Sequence, residues 1–331
     1  MKSPEYQGNG WALHNSDCIE GMEAMPENSV DCAIFSPPFG DLFVYSDSER
    51  DLGNAGEGDS FLEQYKFFAN ALTRVIRTGR MICVHCTDLP MRKGKHGAIG
   101  LQDFSGDLIK AHTDAGLIYH GRATIWKDPV VEMQRTKALG LLYKQIRKDS
   151  AMNRVGMPDY MLFFRKDGPP ENPINHTYPD DESGALKVAK EYLLNMKKQG
   201  LVGYIPPDDV LSDLIEHAKF DVFEWQKLAS PVWMNIQQGN VLTRIKGPND
   251  ERHVCPLQLD TIQNCLRLYT KPGDVVLDPF NGIGSTGYEA IRANRKYMGF
   301  ELKPEYAAQA GKYLAQAEEM AGGMFDFEAE S

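Results

Sequence analysis

The chain predicts an α/β protein built on a doubly wound, mostly parallel sheet with a small additional module. Three observations carry that expectation. Short apolar runs that read as buried strands (Val30 to Phe35, Met81 to His85, Val275 to Leu277) alternate with segments of helical periodicity. A glycine-bearing turn, Asn281-Gly282-Ile283-Gly284, joins the last of those strands to a helix. Composition also breaks at Asp167-Gly168-Pro169-Pro170, after which apolar strands disappear from the next stretch of chain.

Taken in order, Trp11 to His14 is a short strand. Ser16 or Asp17 caps a helix over Cys18 to Met25, and Glu27-Asn28-Ser29 turns the chain into the strand Val30 to Phe35. Residues 40–60 are rich in Gly, Asp and Ser and read as a loop able to close over a site. Phe61 to Arg77 has helical spacing and ends at Thr78-Gly79. Met81 to His85 is the next strand, Phe104 to Ala115 a helix, Leu117 to Trp126 extended, and Tyr160 to Arg165 a further strand. Residues 168–235 hold helical pieces (Ala185 to Gln199, Asp209 to Phe220) and read as an inserted module. The strand–helix rhythm then returns: strand 275–279, helix 285–293, strand 297–300, helix 304–319.

With 331 residues and 42% hydrophobic content, the chain can bury a sizeable core. No apolar stretch reaches the roughly 20 residues of a membrane span. The start of the chain lacks a signal-peptide pattern, so a cytoplasmic location is expected. Six cysteines are too few for a disulfide framework at this length. Cys83-Val84-His85-Cys86 reads as a buried strand rather than a metal knuckle, and no metal is expected.

Net charge is -10, which at first disfavours a nucleic-acid partner. Its distribution changes that reading. Residues 41–63 carry seven acids against Arg50, and the tail from Glu318 carries five acids and no base. Residues 127–166 carry nine bases against four acids, a local excess suited to phosphate contact. A solvated helical face is the plainer reading of that excess when it is taken alone.

Two motifs carry chemistry. Asp278 ends the strand that begins at Val275, and Phe280, Gly282, Gly284 and Ser285 follow before the next helix. Glu301 stands 23 residues after Asp278, where a ribose-hydroxyl acceptor sits in nucleoside-binding βαβ units. Gly282, Gly284 and Gly287 match the dinucleotide spacing, by itself a weak signal. At the other end, Ser36-Pro37-Pro38-Phe39 follows an apolar strand directly. An amine on an aromatic base is a poor nucleophile because its lone pair is delocalised. Acceptors such as the Ser36 side chain and the Pro37 carbonyl draw its hydrogens toward a tetrahedral geometry. The proline rings fix that carbonyl, and Phe39 offers a face for the base. No strong general base is required, which agrees with the absence of an obvious His–Asp dyad in the sequence. In a doubly wound sheet both motifs lie at carboxyl ends of strands, and Asp17 reaches the same rim.

Together these motifs resemble those of beta-class DNA amino-methyltransferases dependent on S-adenosylmethionine. Ser36 to Phe39 resembles the catalytic tetrapeptide and Asp278 to Thr286 the cofactor motif, with Arg252-His253-Val254-Cys255-Pro256-Leu257-Gln258-Leu259 resembling the stretch that precedes it. The run from Trp126 to Gly140, Lys148-Asp149-Ser150 and Pro158-Asp159-Tyr160 resemble a phage and prophage subgroup. The resemblance covers about residues 11–319. It implies a seven-stranded Rossmann-like methyltransferase sheet, circularly ordered with the catalytic motif first. The implied divisions are a catalytic half at 11–167 with a DNA-facing segment at 127–166, a target-recognition module at 168–235, a cofactor half at 236–319 and an acidic tail at 320–331.

The resemblance further implies site-specific methylation of a base flipped out of double-stranded DNA. Ser36, Pro37, Pro38 and Phe39 would be catalytic. Asp17, Asp278, Phe280, Gly282, Gly284, Ser285 and Glu301 would hold S-adenosylmethionine, and Lys127, Arg135, Lys137 and Arg154 would contact DNA. A homodimer is a family-level expectation. By the family rule Ser in first position favours N4 of cytosine, yet relatives with this arrangement are commonly assigned to N6 of adenine, and adenine is narrowly favoured. RNA or protein-glutamine methylation and a non-catalytic DNA-binding subunit stand as alternatives. Catalytic-before-cofactor order argues against the first, and the intact motifs against the second.

Overall fold

The computed structural model describes residues 3–38, 59–91, 93–136, 141–174, 194, 197, 204–205, 207, 222–243 and 256–322. The chain divides into two compact units: Met1–Asn172 with Pro231–Ser331, and Pro173–Ser230. In the second, one helix is described at length, Val222–Leu228.

The first unit is organised on one sheet. Its strands are β1 (Tyr6–Gly8), β2 (Trp11–Asn15), β3 (Val30–Phe35), β4 (Ile76–Thr87), β7 (Leu117–Ile125), β8 (Asp159–Lys166), β9 (Val232–Trp233), β10 (Val275–Asp278) and β11 (Lys296–Glu301). The order across the sheet is β1-β2-β11-β10-β3-β4-β8-β7-β9. β5 (Leu89–Met91) and β6 (Gly100–Gln102) form a separate two-stranded sheet. The main sheet thus has nine strands where seven were expected. The excess is two short edge strands: β1, antiparallel to β2, and β9, parallel to β7. The central run β2, β11, β10, β3, β4 is parallel throughout, while β8 is antiparallel to both of its neighbours.

The apolar runs form strands because both faces of the sheet are covered. Cys32, Ile34 and Cys83 join one core, while Ala33, Phe35, Ile82 and Val84 join the other. That alternation is the period-two geometry of a pleated strand with two buried faces. The second core is closed by α1 (Cys18–Glu23) and α2 (Asp59–Val75). In α2, Phe61, Tyr65, Phe68, Leu72 and Val75 are buried, a stripe at helical spacing. α3 (Phe104–Asp114) adds Phe104, Leu108 and Ala111. On the other face lie α4 (Leu259–Tyr269), α5 (Ser285–Arg292) and α6 (Pro304–Gly322).

Several element bounds differ from expectation, two of them for a clear physical reason. α1 ends at Glu23 instead of Met25 because Met25 drops into the core behind Ala24. α2 ends at Val75 instead of Arg77, and Thr78-Gly79 does not terminate it. Ile76 already pairs with Val30, and Cys32 pairs with Met81, so residues 77–80 bulge out of β4. Gly79 sits in this bulge at φ 75°, tight against the Pro170 backbone. The helix α4 and the helix Pro129–Thr136 are left unassigned by the sequence reading.

The bulge also places charge. Arg80, 3% exposed, pairs with Asp31 at 3.1 Å and with Asp274 at 3.2 Å, while Arg77 reaches Asp31 at 2.6 Å. Asp31 Oδ2 accepts from the Val275 backbone amide. The lone acid of the β3 run therefore ties β4 and β10 together at the edge where strands enter the sheet. Early and late parts of the chain interlock elsewhere too. Asn15 Nδ2 donates to the carbonyls of Glu301 and Leu302, and Trp11 Nε1 donates to Glu318 at 2.7 Å.

Candidate active site

Five adjacent parallel strands end on one rim, and the sequence-predicted residues gather there. Asp17 lies two residues past β2, Glu301 closes β11, Asp278 closes β10, Ser36 follows β3, and His85 is near the end of β4. Ligands bind at such carboxyl rims because loops and helix N-termini open there.

The β10–α5 connection is shaped by its glycines. Gly282 has φ 53° and Gly284 φ 92°, a left-handed region that side chains resist. A side chain at Gly282 would meet nothing closer than the Phe280 carbonyl at 4.0 Å, so its backbone faces open space. At Gly284 an added β-carbon would press on Ala310 at 3.1 Å, and at Gly287 it would collide with Leu314 and Tyr297 at 2.5 Å. The first glycine therefore bares backbone to a ligand, while the other two let α5 pack closely.

Acids hold this turn. Glu301 accepts from the Gly282 amide at 2.7 Å and from the Lys303 amide at 2.8 Å. Asp278 accepts from the Phe280 amide at 3.0 Å. Asp278 is 4% exposed; burial pushes its carboxyl up to about 7, against the opposing hydrogen bonds from Thr286 and Phe280. Asp17 caps α1, accepting from the amides of Ile19 and Glu20 through Oδ1. The Ser285 hydroxyl, at the start of α5, is enclosed and without a partner among the described residues. Open space beside the Gly282 backbone, an orphan hydroxyl at a helix N-terminus and a buried carboxyl with no cation beside it among the described residues fit a polar ligand with a positive group. Phe280 packs at 4.8 Å on Phe68 and 5.7 Å on Phe35, bridging the two motifs.

Ser36 is half-buried, and Pro37 and Pro38 are buried. Phe39 lies outside the described residues, as do Lys137, the side chain of Arg135 and most of loop 40–60. Ser36 Oγ stands 3.3 Å from His85 Nδ1 and 3.3 Å from the His85 carbonyl. His85 Nε2 faces Asp159 Oδ2 at 3.4 Å, and Asp159 Oδ1 receives Lys127 Nζ at 2.5 Å. The absence of a His–Asp dyad is therefore corrected: one stands directly behind Ser36. Burial would raise the Asp159 carboxyl, but the facing His85 ring and the Lys127 ammonium outweigh it and hold it at about 2.

This dyad escapes sequence reading because its members are 74 positions apart and meet only through antiparallel pairing, Asp159 lying opposite Thr87 in β8 and β4. Asp159 enters that reading only inside Pro158-Asp159-Tyr160, and His85 only as a metal ligand. Lys127 is placed differently from a phosphate contact: its side chain is 14% exposed and its ammonium is committed to Asp159.

Other bases of 127–166 divide by position. Lys144, Arg147 and Lys148 are exposed, the first capping the helix Gln145–Lys148 and the other two in its last turn. Arg165 and Lys166 lie at the far end of β8, where Lys166 Nζ donates to Asn28 and the Ile76 carbonyl. Arg154 is half-buried, with one guanidinium nitrogen unpartnered among the described residues. Also among the described residues, no helix is long and apolar enough to cross a membrane.

Comparison with known proteins agrees with this geometry. A family model described as DNA methylase matches residues 30–312. The type II methyltransferase M.Cfr9I of Citrobacter freundii is 44% identical over 315 residues, covering 92% of this chain and 88% of its own. The DNA adenine methyltransferase YhdJ of Escherichia coli K12 is 51% identical over 220 residues, covering 61% of this chain and 74% of its own. Among solved structures, TTHA0409 of Thermus thermophilus, complexed with S-adenosyl-L-methionine, superposes with a TM-score of 0.58 at 19% identity, covering 92% of this chain and 93% of that one. The cytosine-N4-specific PvuII DNA methyltransferase superposes with a TM-score of 0.57 at 17% identity, covering 99% and 96%. The α/β methyltransferase fold is thus shared, and the chain belongs to the N6/N4 DNA methylase family.

Proposed function

We propose that the protein transfers a methyl group from S-adenosylmethionine to the exocyclic amine of a flipped base in double-stranded DNA, with adenine N6 narrowly favoured. The observation that carries this reading is the placement of Ser36 beside Asp278 on adjacent strands, with Glu301 one strand further on. Asp17, Asp278, Phe280, Gly282, Gly284, Ser285 and Glu301 would hold the cofactor, which supplies an electrophilic methyl group when bound. Ser36 Oγ and the Pro37 carbonyl accept from the amine and turn its lone pair out of the ring plane. Phe39 stacks on the base. Arg135, Lys137 and Arg154, with exposed Lys144, Arg147 and Lys148, contact phosphates, and the module at 168–235 reads sequence. The reaction takes place in the cytoplasm of a bacterial or phage-infected cell.

Similarity to the adenine methyltransferase YhdJ supports adenine. Ser36 in place of Asp, together with the fold shared with a cytosine-N4-specific enzyme, favours N4 of cytosine as the second reading. Incubation with unmodified duplex DNA and S-adenosylmethionine, followed by nucleoside mass spectrometry, separates them. N6-methyladenine supports the first reading and N4-methylcytosine the second, while neither product removes both.

A further inference from the structure

We infer that His85 and Asp159 are positioning residues that turn the Ser36 hydroxyl hydrogen away from the substrate, so that the serine presents only acceptor lone pairs to the target amine. The inference rests on the proposed role of Ser36 as that acceptor. A hydroxyl both donates and accepts, whereas a carboxylate only accepts. A serine whose hydrogen points at the incoming amine would repel the N–H it has to receive. Its hydrogen therefore needs another acceptor.

The structure supplies two, both on His85: Nδ1 at 3.3 Å and the backbone carbonyl at 3.3 Å. Nδ1 accepts only in the tautomer that carries its hydrogen on Nε2. Asp159 selects that tautomer, because its carboxylate Oδ2 lies 3.4 Å from Nε2, and Nε2 has no hydrogen-bond partner among the described residues, so the charge of Asp159 is what favours a proton there. Asp159 is in turn kept ionised by Lys127 at 2.5 Å, and its burial, at 4% exposure, fixes it in place. β4 and β8 hold His85 and Asp159 in neighbouring register, Met161 lying opposite His85 and Asp159 opposite Thr87. The order Lys127, Asp159, His85, Ser36 makes a neutral side chain behave toward an amine as a carboxylate would.

The test compares His85→Gln, His85→Asn and Asp159→Asn with Ser36→Ala. Asn at 85 can set an amide oxygen where Nδ1 stood, while Gln cannot. His85→Gln should lower kcat about tenfold to a hundredfold, the range of groups that orient a primary ligand, with cofactor Kd unchanged. His85→Asn should recover most of that loss. In the Ser36→Ala background, His85→Gln should add nothing further. Nitrogen-15 NMR of the wild-type protein should show His85 protonated at Nε2, and Asp159→Asn should move that proton to Nδ1. A wild-type proton on Nδ1, or additive losses in the double variant, would overturn the inference; the first of these holds even if every variant folds poorly. Full activity in Ser36→Ala would overturn the acceptor role of Ser36 itself, a separate outcome.

Discussion

Asp278→Asn replaces one carboxylate oxygen at the centre of the proposed cofactor rim and should make the protein more stable while disabling it. Holding this carboxyl at about 7 instead of its ordinary 3.8 corresponds to about 4 kcal/mol between its two protonation states. The sign follows from proton uptake. Between pH 3.8 and 7 the unfolded chain releases this proton while the folded chain keeps it. The stability associated with the protonated carboxyl is therefore fully present below pH 3.8 and lost as pH rises through 7. Asparagine removes that dependence, and its amide oxygen can still accept from Phe280. Urea denaturation of both proteins from about pH 4 to about pH 8 should give matching stabilities at the acid end. At the alkaline end the variant should be ahead by up to about 4 kcal/mol, less whatever the weaker amide hydrogen bond loses. Calorimetry should show that the variant no longer binds S-adenosylmethionine. Parallel stability curves, or a variant less stable at the alkaline end with its fold intact, would refute the reasoning.

Three further outcomes are expected. Gly287→Ala places a β-carbon 2.5 Å from Leu314 and Tyr297 and should cost about 1–3 kcal/mol by thermal unfolding. Arg80→Met leaves Asp274 and Asp31 buried without the cation they share and should cost about 3–5 kcal/mol in urea, the scale for breaking a buried ion pair. Lys127→Met takes away one of the groups holding the Asp159 carboxyl at about 2. A depressed carboxyl stabilises above its ordinary 3.8 and loses that contribution as pH falls toward 2. The variant should therefore lose up to about 2 kcal/mol near neutral pH and show a smaller further decline between about pH 4 and 2, read from denaturation midpoints.

The parallel core and both motifs were legible in the sequence because each is written in consecutive residues. Val30 to Phe35 is apolar on both faces because cores lie on both sides, and Gly282-Ile283-Gly284 announces a turn whose positive φ angles the structure confirms. What could not be read was anything made by register. Thr78-Gly79 looks like a helix stop because glycine serves helix ends and strand bulges equally; only the pairing of Ile76 with Val30 decides between them. Likewise nothing in the local sequence around His85 or Asp159 says that an antiparallel β8 will return to the rim. The edge strands β1 and β9, at three and two residues, are too short to show periodicity. Charge was legible in amount but not in direction: Lys127 faces a carboxylate, and Lys166 sits at the opposite end of its strand.

The interlocking of Asn15 with Glu301 and of Trp11 with Glu318 sets a timetable for biosynthesis. These partners are 286 and 307 positions apart. β2 consequently leaves the ribosome long before β11 exists to pair with it, and its open edge must wait through most of translation. Closing so long a loop is slow, so this step should dominate refolding and make the waiting strand a target for chaperones. The half of the rim that carries Ser36 can assemble early, whereas the half that carries Glu301 is completed only after nearly the whole chain is made. Methylating competence should thus arrive as the last event of folding, when β11 slots between β2 and β10.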